Sequence, residues 1–224
     1  MQSTPWDWLD HPEQQRWIDV TLSGDGWDIL YSVPDRLKSS GQHTQSDPPL
    51  DISGSHRLFL LPPETPNKKW ARLAAYNWDS WWGGFFKESG VDFWLEVAVN
   101  YYENENEFLD MNSEEFIQWK VAGHREFYAK HFKASSEQEN SFFKNYRIEK
   151  YVSANSITWI HENTPTVQGD YIVFMSPLSN SHILEFGFFV NKKRYNWKDD
   201  PEWNKHRWDI VYKILDSVSI TARP

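Results

Sequence analysis

The sequence predicts an α+β fold, in which a mainly antiparallel sheet is flanked by helices. A hairpin signal lies near the N-terminus, and two amphipathic helical segments lie in the middle and at the end of the chain. Several strand-like runs follow one another after residue 145. The chain has 224 residues, which is enough for one large domain with a single core.

The pattern of composition predicts an arm followed by one domain. We expect residues 1–16 to form an N-terminal arm and residues 17–224 to form a single α+β domain. Residues 35–56 are rich in Ser, Gly, Asp, Pro and Gln, which predicts a long, exposed polar loop within that domain. No internal repeat and no second set of core segments indicates a further domain.

The first half of the chain predicts strands and one short helix. Residues 17–22 alternate apolar and polar side chains, and a Gly/Asp turn connects them to residues 27–33, so we expect a hairpin. Residues 57–61 predict a short strand that the following prolines end. Residues 68–77 predict a short helix. Apolar residues recur at every second position of residues 92–101, which predicts a strand with one face buried away from water.

The second half of the chain predicts two helices and an antiparallel meander. Asn112 and Glu115 form an N-cap signature for a helix over residues 113–132. Asp200 followed by Pro201 is typical of a helix start and predicts the C-terminal helix. Four strand candidates lie between these helices, at residues 146–152, 156–161, 171–176 and 182–191.

The composition excludes several classes of function. The chain has no cysteine, which rules out disulfides, thiolate metal sites and cysteine nucleophiles. Its 23 basic and 32 acidic residues give a net charge of −9, which opposes nucleic-acid binding through phosphates and favours a basic protein partner. No secretory signal and no apolar run long enough to span a membrane are present, so we expect a cytoplasmic protein.

The main functional candidate is an aromatic stretch at residues 76–86. Aromatic residues make up 17% of the chain and are concentrated here. Because Trp and Tyr are enriched in interface hot spots and also fill cores, the stretch either anchors the core or forms a binding surface. For a binding surface, the predicted anchors and acidic rim are Trp78, Trp81, Trp82, Phe85, Phe86, Glu103, Glu105 and Glu107.

The order of the elements resembles the PsbP-like superfamily, which includes DcrB-like proteins. Residues 27–34 at the start and 208–220 at the end carry the resemblance, and the elements between them match by order. The resemblance implies an α/β/α sandwich and a family of non-enzymatic binding proteins, some of which are chaperones for secreted effectors. The superfamily has no shared catalytic motif, so no functional residue is carried over. The polar loop and the aromatic stretch depart from its pattern.

Other residues with catalytic or metal-binding chemistry fit structural roles better. His124 and His131 are seven residues apart on the predicted middle helix, too far for the i,i+4 pair that chelates a metal. His161 and Glu162 could meet Glu185 from a neighbouring strand as an acid/base set. Strand alternation instead favours a buried, hydrogen-bonded His161. We therefore expect no catalytic residue, metal or cofactor.

These observations favour a non-enzymatic module that binds another protein. An immunity protein or effector chaperone of a bacterial toxin-delivery system is the expected type, with a basic toxin or effector as its partner. Neither nucleic acid nor membrane insertion is expected. The alternative is a carbohydrate-binding or hydrolytic protein that uses the Trp cluster as a stacking platform, since Asp79, Glu88 and Asp92 surround it. A third hypothesis is a structural domain whose Trp cluster is entirely core.

Overall fold

Two antiparallel sheets and a C-terminal helix make up the described part of this chain. The structure is a computed structural model that describes residues 16–24, 26–35, 38–39, 59–60, 68–81, 89–102, 147–165, 169–179, 182–191, 193–194, 198–199 and 201–222. The strands within these ranges are β1 (Trp17–Gly24), β2 (Trp27–Pro34), β3 (Lys38–Ser39), β4 (Phe59–Leu60), β5 (Lys68–Trp81), β6 (Ser89–Tyr102), β7 (Arg147–Val152), β8 (Thr158–Pro165), β9 (Gly169–Pro177), β10 (His182–Asn191), β11 (Lys193–Arg194), β12 (Lys198–Asp199) and β13 (Ser219–Ala222). The helix, α1, spans Pro201–Ser217.

The two sheets differ in size. The small sheet has the strand order β1-β2-β13, and the large sheet has the order β3-β5-β6-β10-β9-β8-β7. The two-residue strand β4 also pairs with β5, and β11 pairs with β12 in a separate short ladder. The predicted meander is present as β7 to β10, in which each strand pairs with the next along the chain.

The predicted N-terminal hairpin is confirmed. β1 and β2 pair along their whole length, beginning with Trp17 opposite Pro34. Gly26 in the connecting turn has a φ of +93°, a conformation that residues with a side chain rarely adopt. β13 then pairs with the other edge of β2, with Ser219 opposite Leu30, so the C-terminal part of the chain completes the small sheet.

The main core lies between one face of the large sheet, here called the core face, and the small sheet together with α1. The fully buried residues of the core face are Phe93, Leu95, Val97, Val99, Trp159, Ile172, Phe174, Leu184, Phe186, Phe188 and Val190. Tyr31 of β2 crosses to this face, where its ring forms a T-shaped contact with Phe186 at a centroid distance of 5.3 Å and its hydroxyl lies 2.9 Å from that of Tyr76. The aromatic side chains therefore join the two sheets.

Helix α1 begins at the predicted proline and packs its apolar side on the core. Val211 and Leu215 of the helix, and Val218 directly after it, have no exposed surface. Trp208 is only partly buried and stacks on Tyr212 at 5.5 Å. No helix in the described ranges is both long and apolar enough to cross a membrane.

The predicted fold class is wrong. The described residues are mostly strands in two sheets, with a single helix on the core face, so they do not form an α/β/α sandwich or a sheet flanked by helices on both sides. Residues 68–77, predicted as a short helix, belong to β5 and pair with β6. Pairing with a long neighbouring strand outweighs the weak local helical preference of this segment.

Several predicted elements fall wholly or partly outside the described residues. The middle helix over residues 113–132 and residues 1–15 of the predicted arm lie outside them. Within the predicted polar loop at residues 35–56, the described Lys38–Ser39 strand pairs with β5. The predicted strand at residues 57–61 contains β4.

Candidate functional site

The aromatic stretch lies at one end of the β5–β6 hairpin. The backbone of Trp78 pairs with Phe93, and that of Trp81 pairs with Ser89 at the last described position of β5. The other predicted partner-binding residues lie outside the described residues, namely Trp82, Phe85, Phe86, Glu103, Glu105 and Glu107. The structure therefore fixes the backbone position of two of the predicted anchors.

Within the described residues, this end of the hairpin extends past the rest of the large sheet. On one side, β10 pairs with β6 only as far as Val190 opposite Phe93. On the other side, β3 pairs with β5 only as far as Asn77. Residues 79–81 and 89–91 continue as a two-stranded ribbon, with no third strand from the described ranges on either edge. We call these six residues the β5–β6 ribbon.

The predicted acidic rim follows the opposite end of the hairpin. Tyr102, which directly precedes this run in the sequence, pairs with Lys68 at the start of β5. β6 has 14 residues, and at about 3.3 Å per residue its two ends are roughly 43 Å apart. The strand thus separates Tyr102 from the ribbon by most of the length of the sheet.

A cluster of polar side chains lies on the face of the large sheet that is opposite to the core face. Ala98 of β6 is at its centre, with Arg72 opposite it on β5 and Glu185 opposite it on β10. Glu96 and Asn100 lie two residues away on β6, on the same face of the strand. We call Arg72, Glu96, Asn100 and Glu185 the polar cluster.

Arg72 and Glu96 form an ion pair within the polar cluster. The Arg72 Nε atom lies 2.5 Å from Oε2 of Glu96. Burial raises the pKa of Glu96 above its ordinary value and Glu185 adds to this effect, while Arg72 opposes it. Burial is thus the largest influence on the pKa of this carboxylate.

Asn100 is an unusual member of the cluster. Its side chain has no exposed surface, and neither Oδ1 nor Nδ2 forms a hydrogen bond within the described part of the chain. Buried polar groups without a partner are rare in proteins because they lose their hydrogen bonds to water without replacement. The Asn100 amide thus has unused capacity to donate and accept beside the carboxylates.

Two aromatic rings lie next to the polar cluster. Tyr171 of β9 stacks on Trp94 of β6 with a centroid distance of 6.1 Å and an angle of 30° between the rings. The Tyr171 hydroxyl passes over Gly187, where an added Cβ would lie only 3.3 Å from it. The absence of a side chain at Gly187 therefore allows the tyrosine to reach across β10 toward the cluster.

The surroundings of Tyr171 are negative. Burial raises the pKa of its hydroxyl, and the carboxylates of Glu96, Glu185 and Glu162 raise it further, whereas Arg72 opposes them. Among the described residues, these carboxylates thus act on the hydroxyl in the same direction as its burial. The hydroxyl is therefore neutral at physiological pH and can donate a hydrogen bond.

The hypothetical acid/base set does not assemble. His161 and Glu162 are successive residues of β8, so they lie on opposite faces of the large sheet, and Glu185 shares the face of Glu162. His161 is buried, as predicted, and lies on the core face, where it stacks on Phe174 at 4.8 Å. Its Nε2 lies 3.6 Å from Oε2 of Glu149, while its Nδ1 has no hydrogen-bond partner within the described ranges. The hydrogen bond predicted for His161 is therefore not formed within these ranges.

The buried imidazole of His161 predicts a dependence of stability on pH. Burial lowers its pKa below the ordinary value of 6.5, and Glu149 only partly opposes this. The unfolded chain therefore binds more protons than the folded protein as the pH falls through about 6.5, which destabilises the fold. We expect the free energy of unfolding to decrease between about pH 7 and about pH 5, and His161→Gln to remove part of that decrease.

Urea unfolding of the wild type and His161→Gln at both pH values measures this effect. Because glutamine does not titrate, the variant should lose less stability on acidification than the wild type. Parallel losses in the two proteins would contradict the assignment to His161.

The described residues contain no group of three or more His, Asp or Glu side chains arranged to hold a metal ion. His124 and His131, considered as a metal pair from the sequence, lie outside the described ranges.

Sequence reasoning did not identify the polar cluster. The alternation of residues 92–101 places Trp94, Glu96, Ala98 and Asn100 on one face of the strand. That face was expected to be exposed to solvent. In the structure that face is also largely buried, and Asn100 has no exposed surface at all. A Glu and an Asn on a strand face that is buried would have indicated the polar cluster.

Comparison of this chain with known proteins found no similar protein. No protein-family model matches the sequence, and no curated protein or solved structure matches it. The described residues form a two-sheet antiparallel β architecture with a C-terminal helix. The resemblance to the PsbP-like superfamily is not tested by these comparisons.

Proposed function

We propose that the protein is a non-enzymatic module that binds a basic protein partner through the β5–β6 ribbon and the aromatic residues at its end. The observation that supports this proposal is the extension of the ribbon beyond the neighbouring strands that the structure describes. Trp81 lies in the ribbon, and Trp82, Phe85 and Phe86 follow it in the sequence.

The ribbon has two properties that suit protein recognition. The outer edges of paired strands carry backbone N–H and C=O groups with which an extended segment of a partner can pair. Tryptophan side chains bury large apolar areas with few rotatable bonds and are among the residues that contribute most to interface affinity. Backbone pairing would supply affinity, and the aromatic side chains would supply specificity.

The charge of the chain supports a basic partner. A net charge of −9 attracts a positively charged protein and speeds its encounter at low ionic strength. In this proposal the chain is a cytoplasmic immunity protein or effector chaperone, and its partner is a basic toxin or effector of a bacterial toxin-delivery system. The ribbon would then cover a surface that the partner needs for its own activity.

Replacing Trp81 and Trp82 together by alanine tests the proposed anchors. We expect the double variant to lose about 30-fold or more in affinity for the partner, since a hot-spot residue contributes about 2 kcal/mol or more. The partner is isolated from the native host on the immobilised wild-type chain, identified by mass spectrometry, and titrated against both proteins. Association of the wild type should slow as the salt concentration rises.

Leu30→Ala is the matched control. Leu30 is an apolar side chain of the small sheet that is 40% exposed, and it lies on a different sheet from the ribbon. This variant should retain the affinity of the wild type. A folded Trp81→Ala/Trp82→Ala protein that keeps every partner, or a partner with an acidic surface, would refute the proposal.

The carbohydrate alternative has one supporting observation. Asp79 and Asp92 lie in β5 and β6 at the same end of the hairpin as Trp81, so carboxylates accompany the aromatic stretch there. Glu88 lies outside the described residues. A glycan array separates the two functions, because only the carbohydrate alternative predicts saturable binding to a sugar in the absence of any protein partner.

A further inference from the structure

We infer that the surface where α1 meets β7 binds the guanidinium group of an arginine in a protein partner. The surface consists of Trp208 and Tyr212 of α1 and Tyr151 of β7, here called the aromatic patch, with Glu149 of β7 beside it. In the described sheet, β7 lies at the opposite end of the strand order from β3 and β5. The aromatic patch is thus separate from the β5–β6 ribbon and does not depend on the function proposed for it.

The three rings of the aromatic patch lie in contact with one another. Trp208 stacks on Tyr212 at a centroid distance of 5.5 Å, with an angle of 26° between the rings. Tyr212 in turn lies 4.9 Å from Tyr151, again between ring centroids. Each of the three side chains keeps part of its surface exposed. Together they offer a ligand a run of aromatic surface that extends from the helix to the edge of the sheet.

Contacts with the core hold these rings in place. Phe174, which has no exposed surface, forms T-shaped contacts with Tyr151 at 6.3 Å and with Tyr212 at 6.5 Å. The Tyr151 hydroxyl also donates a hydrogen bond of 2.6 Å to Asp216. Rings that are already fixed lose little conformational freedom when a ligand binds. The aromatic patch is therefore preorganised.

Glu149 supplies negative charge beside the aromatic patch. It precedes Tyr151 by two residues on the same face of β7, and its side chain is 61% exposed. The pKa of Tyr212 is raised by burial and then by the carboxylate of Glu149, which shows that this charge acts on the ring. The imidazole of His161, 3.6 Å from Glu149, has a pKa lowered by burial and is neutral at physiological pH. His161 therefore does not neutralise the carboxylate.

The basic side chains of α1 and β7 are directed away from this end of the aromatic patch. Lys213 is held over a tryptophan ring of β1 at 4.3 Å, and Arg207 has no exposed surface. Lys205 precedes the patch by almost one helical turn, on the side away from Tyr151. Lys150 alternates with the patch residue of β7 and so lies on the other face of the sheet. The exposed charge next to Tyr151 is thus negative.

An arginine side chain matches both the rings and the carboxylate. Its planar guanidinium stacks on Trp and Tyr rings, while its N–H groups donate to a carboxylate in a fixed fork. The ammonium group of lysine is a compact charge that cannot stack in this way. A neutral sugar would stack on the rings but would leave Glu149 without a countercharge. Arginine is therefore the occupant that uses every feature of the surface.

Isothermal titration of the full-length chain with a blocked peptide of alternating glycine and arginine tests the inference. The buffer contains about 0.15 M salt, which screens the long-range attraction between the peptide and an acidic protein. In matched peptides, citrulline keeps the planar end of arginine without its charge, and lysine keeps the charge without the plane. We expect saturable binding of the arginine peptide, with affinities at least about tenfold weaker for citrulline and about threefold weaker for lysine.

Three variants assign the binding to the aromatic patch. Glu149→Gln and Trp208→Leu should each weaken binding of the arginine peptide by about threefold or more, because one removes the carboxylate and the other a ring. Glu202→Gln is the matched control, since it removes the same charge from a glutamate of α1 that is 86% exposed. Glu202 precedes Tyr212 by ten residues, or about 15 Å along the helix, so this variant should bind like the wild type.

Several results would overturn the inference. They are no saturable binding of the arginine peptide, equal binding of the citrulline or lysine peptide, tighter binding of cellobiose titrated in parallel, or self-association of the free chain that Trp208→Leu abolishes. If Trp208→Leu does not fold, Glu149→Gln decides, because its side chain is mostly exposed. Unchanged affinity in folded Glu149→Gln, or an equal loss in Glu202→Gln, would also refute the site.

Discussion

Phe186→Ala is expected to lower the free energy of unfolding by about 3–5 kcal/mol, the range typical of a large aromatic side chain removed from a core. Phe186 has no exposed surface. Its ring forms T-shaped contacts with Tyr31 of the small sheet, at a centroid distance of 5.3 Å, and with Trp159 of the large sheet, at 5.5 Å. The substitution therefore leaves a cavity where the two sheets join and removes two favourable aromatic pairs.

Urea denaturation measures the effect of Phe186→Ala, with Leu30→Ala as the control. Leu30 is partly exposed on the small sheet, so its truncation should change stability by no more than about 0.5–1 kcal/mol. A loss of less than about 1 kcal/mol in Phe186→Ala would contradict the proposed junction between the sheets.

Asp216→Ala is expected to cost about 2–3 kcal/mol, because one carboxylate oxygen accepts two hydrogen bonds. The Tyr151 hydroxyl donates to Oδ1 of Asp216 at 2.6 Å, and the backbone N–H of Ala154 donates to the same atom at 2.8 Å. Asn155 in the same turn donates to the backbone oxygens of Asp216 and Val218. These bonds attach the β7–β8 turn to the end of α1.

Asp216→Asn is the matched control for this attachment. Asparagine keeps an oxygen that can accept both hydrogen bonds but removes the charge. We therefore expect Asp216→Asn to lower the free energy of unfolding by less than half as much as Asp216→Ala does. Thermal unfolding of the two variants compares them directly. Equal losses would show that the charge of Asp216, and not its two accepted hydrogen bonds, stabilises the turn.

The sequence predicts those strands whose alternation is regular. In β2, β6 and β10, apolar residues occupy every second position without interruption. The hairpin and the meander were both predicted from that pattern. β5 was missed because its pairing with β6 shifts register between Arg72 and Ala74 and again between Trp78 and Asp79. Each irregularity interrupts the period of two on which a strand prediction depends.

The end of α1 explains part of the error in fold class. The sequence predicted only a helix for the terminal segment, but residues 219–222 form β13 and complete the small sheet. Ser217 lies between the helix and β13 and bonds to both sheet and helix. Its hydroxyl donates to the Ile214 carbonyl of α1 at 2.6 Å and accepts from the Ser32 N–H of β2 at 2.8 Å. The partner in β2 is 185 positions away, which no local pattern reveals.

The polar cluster could be predicted only along one strand. Alternation places Glu96, Ala98 and Asn100 on one face of β6, and that arrangement is correct. Arg72 and Glu185 reach the same site through the registers of β5 and β10 with β6. Register between distant strands is set by the packing of the whole sheet, so the sequence alone does not bring these side chains together.

Photo-crosslinking in the native host tests most directly whether a partner docks on the β5–β6 ribbon. A photoreactive amino acid is placed at Ser80 in the ribbon or at Thr21, an exposed position of β1 in the small sheet. The proposal predicts that a basic protein is captured from position 80 and not from position 21. Capture of the partner from position 21 alone, or from neither position while it still co-purifies, would contradict the proposal.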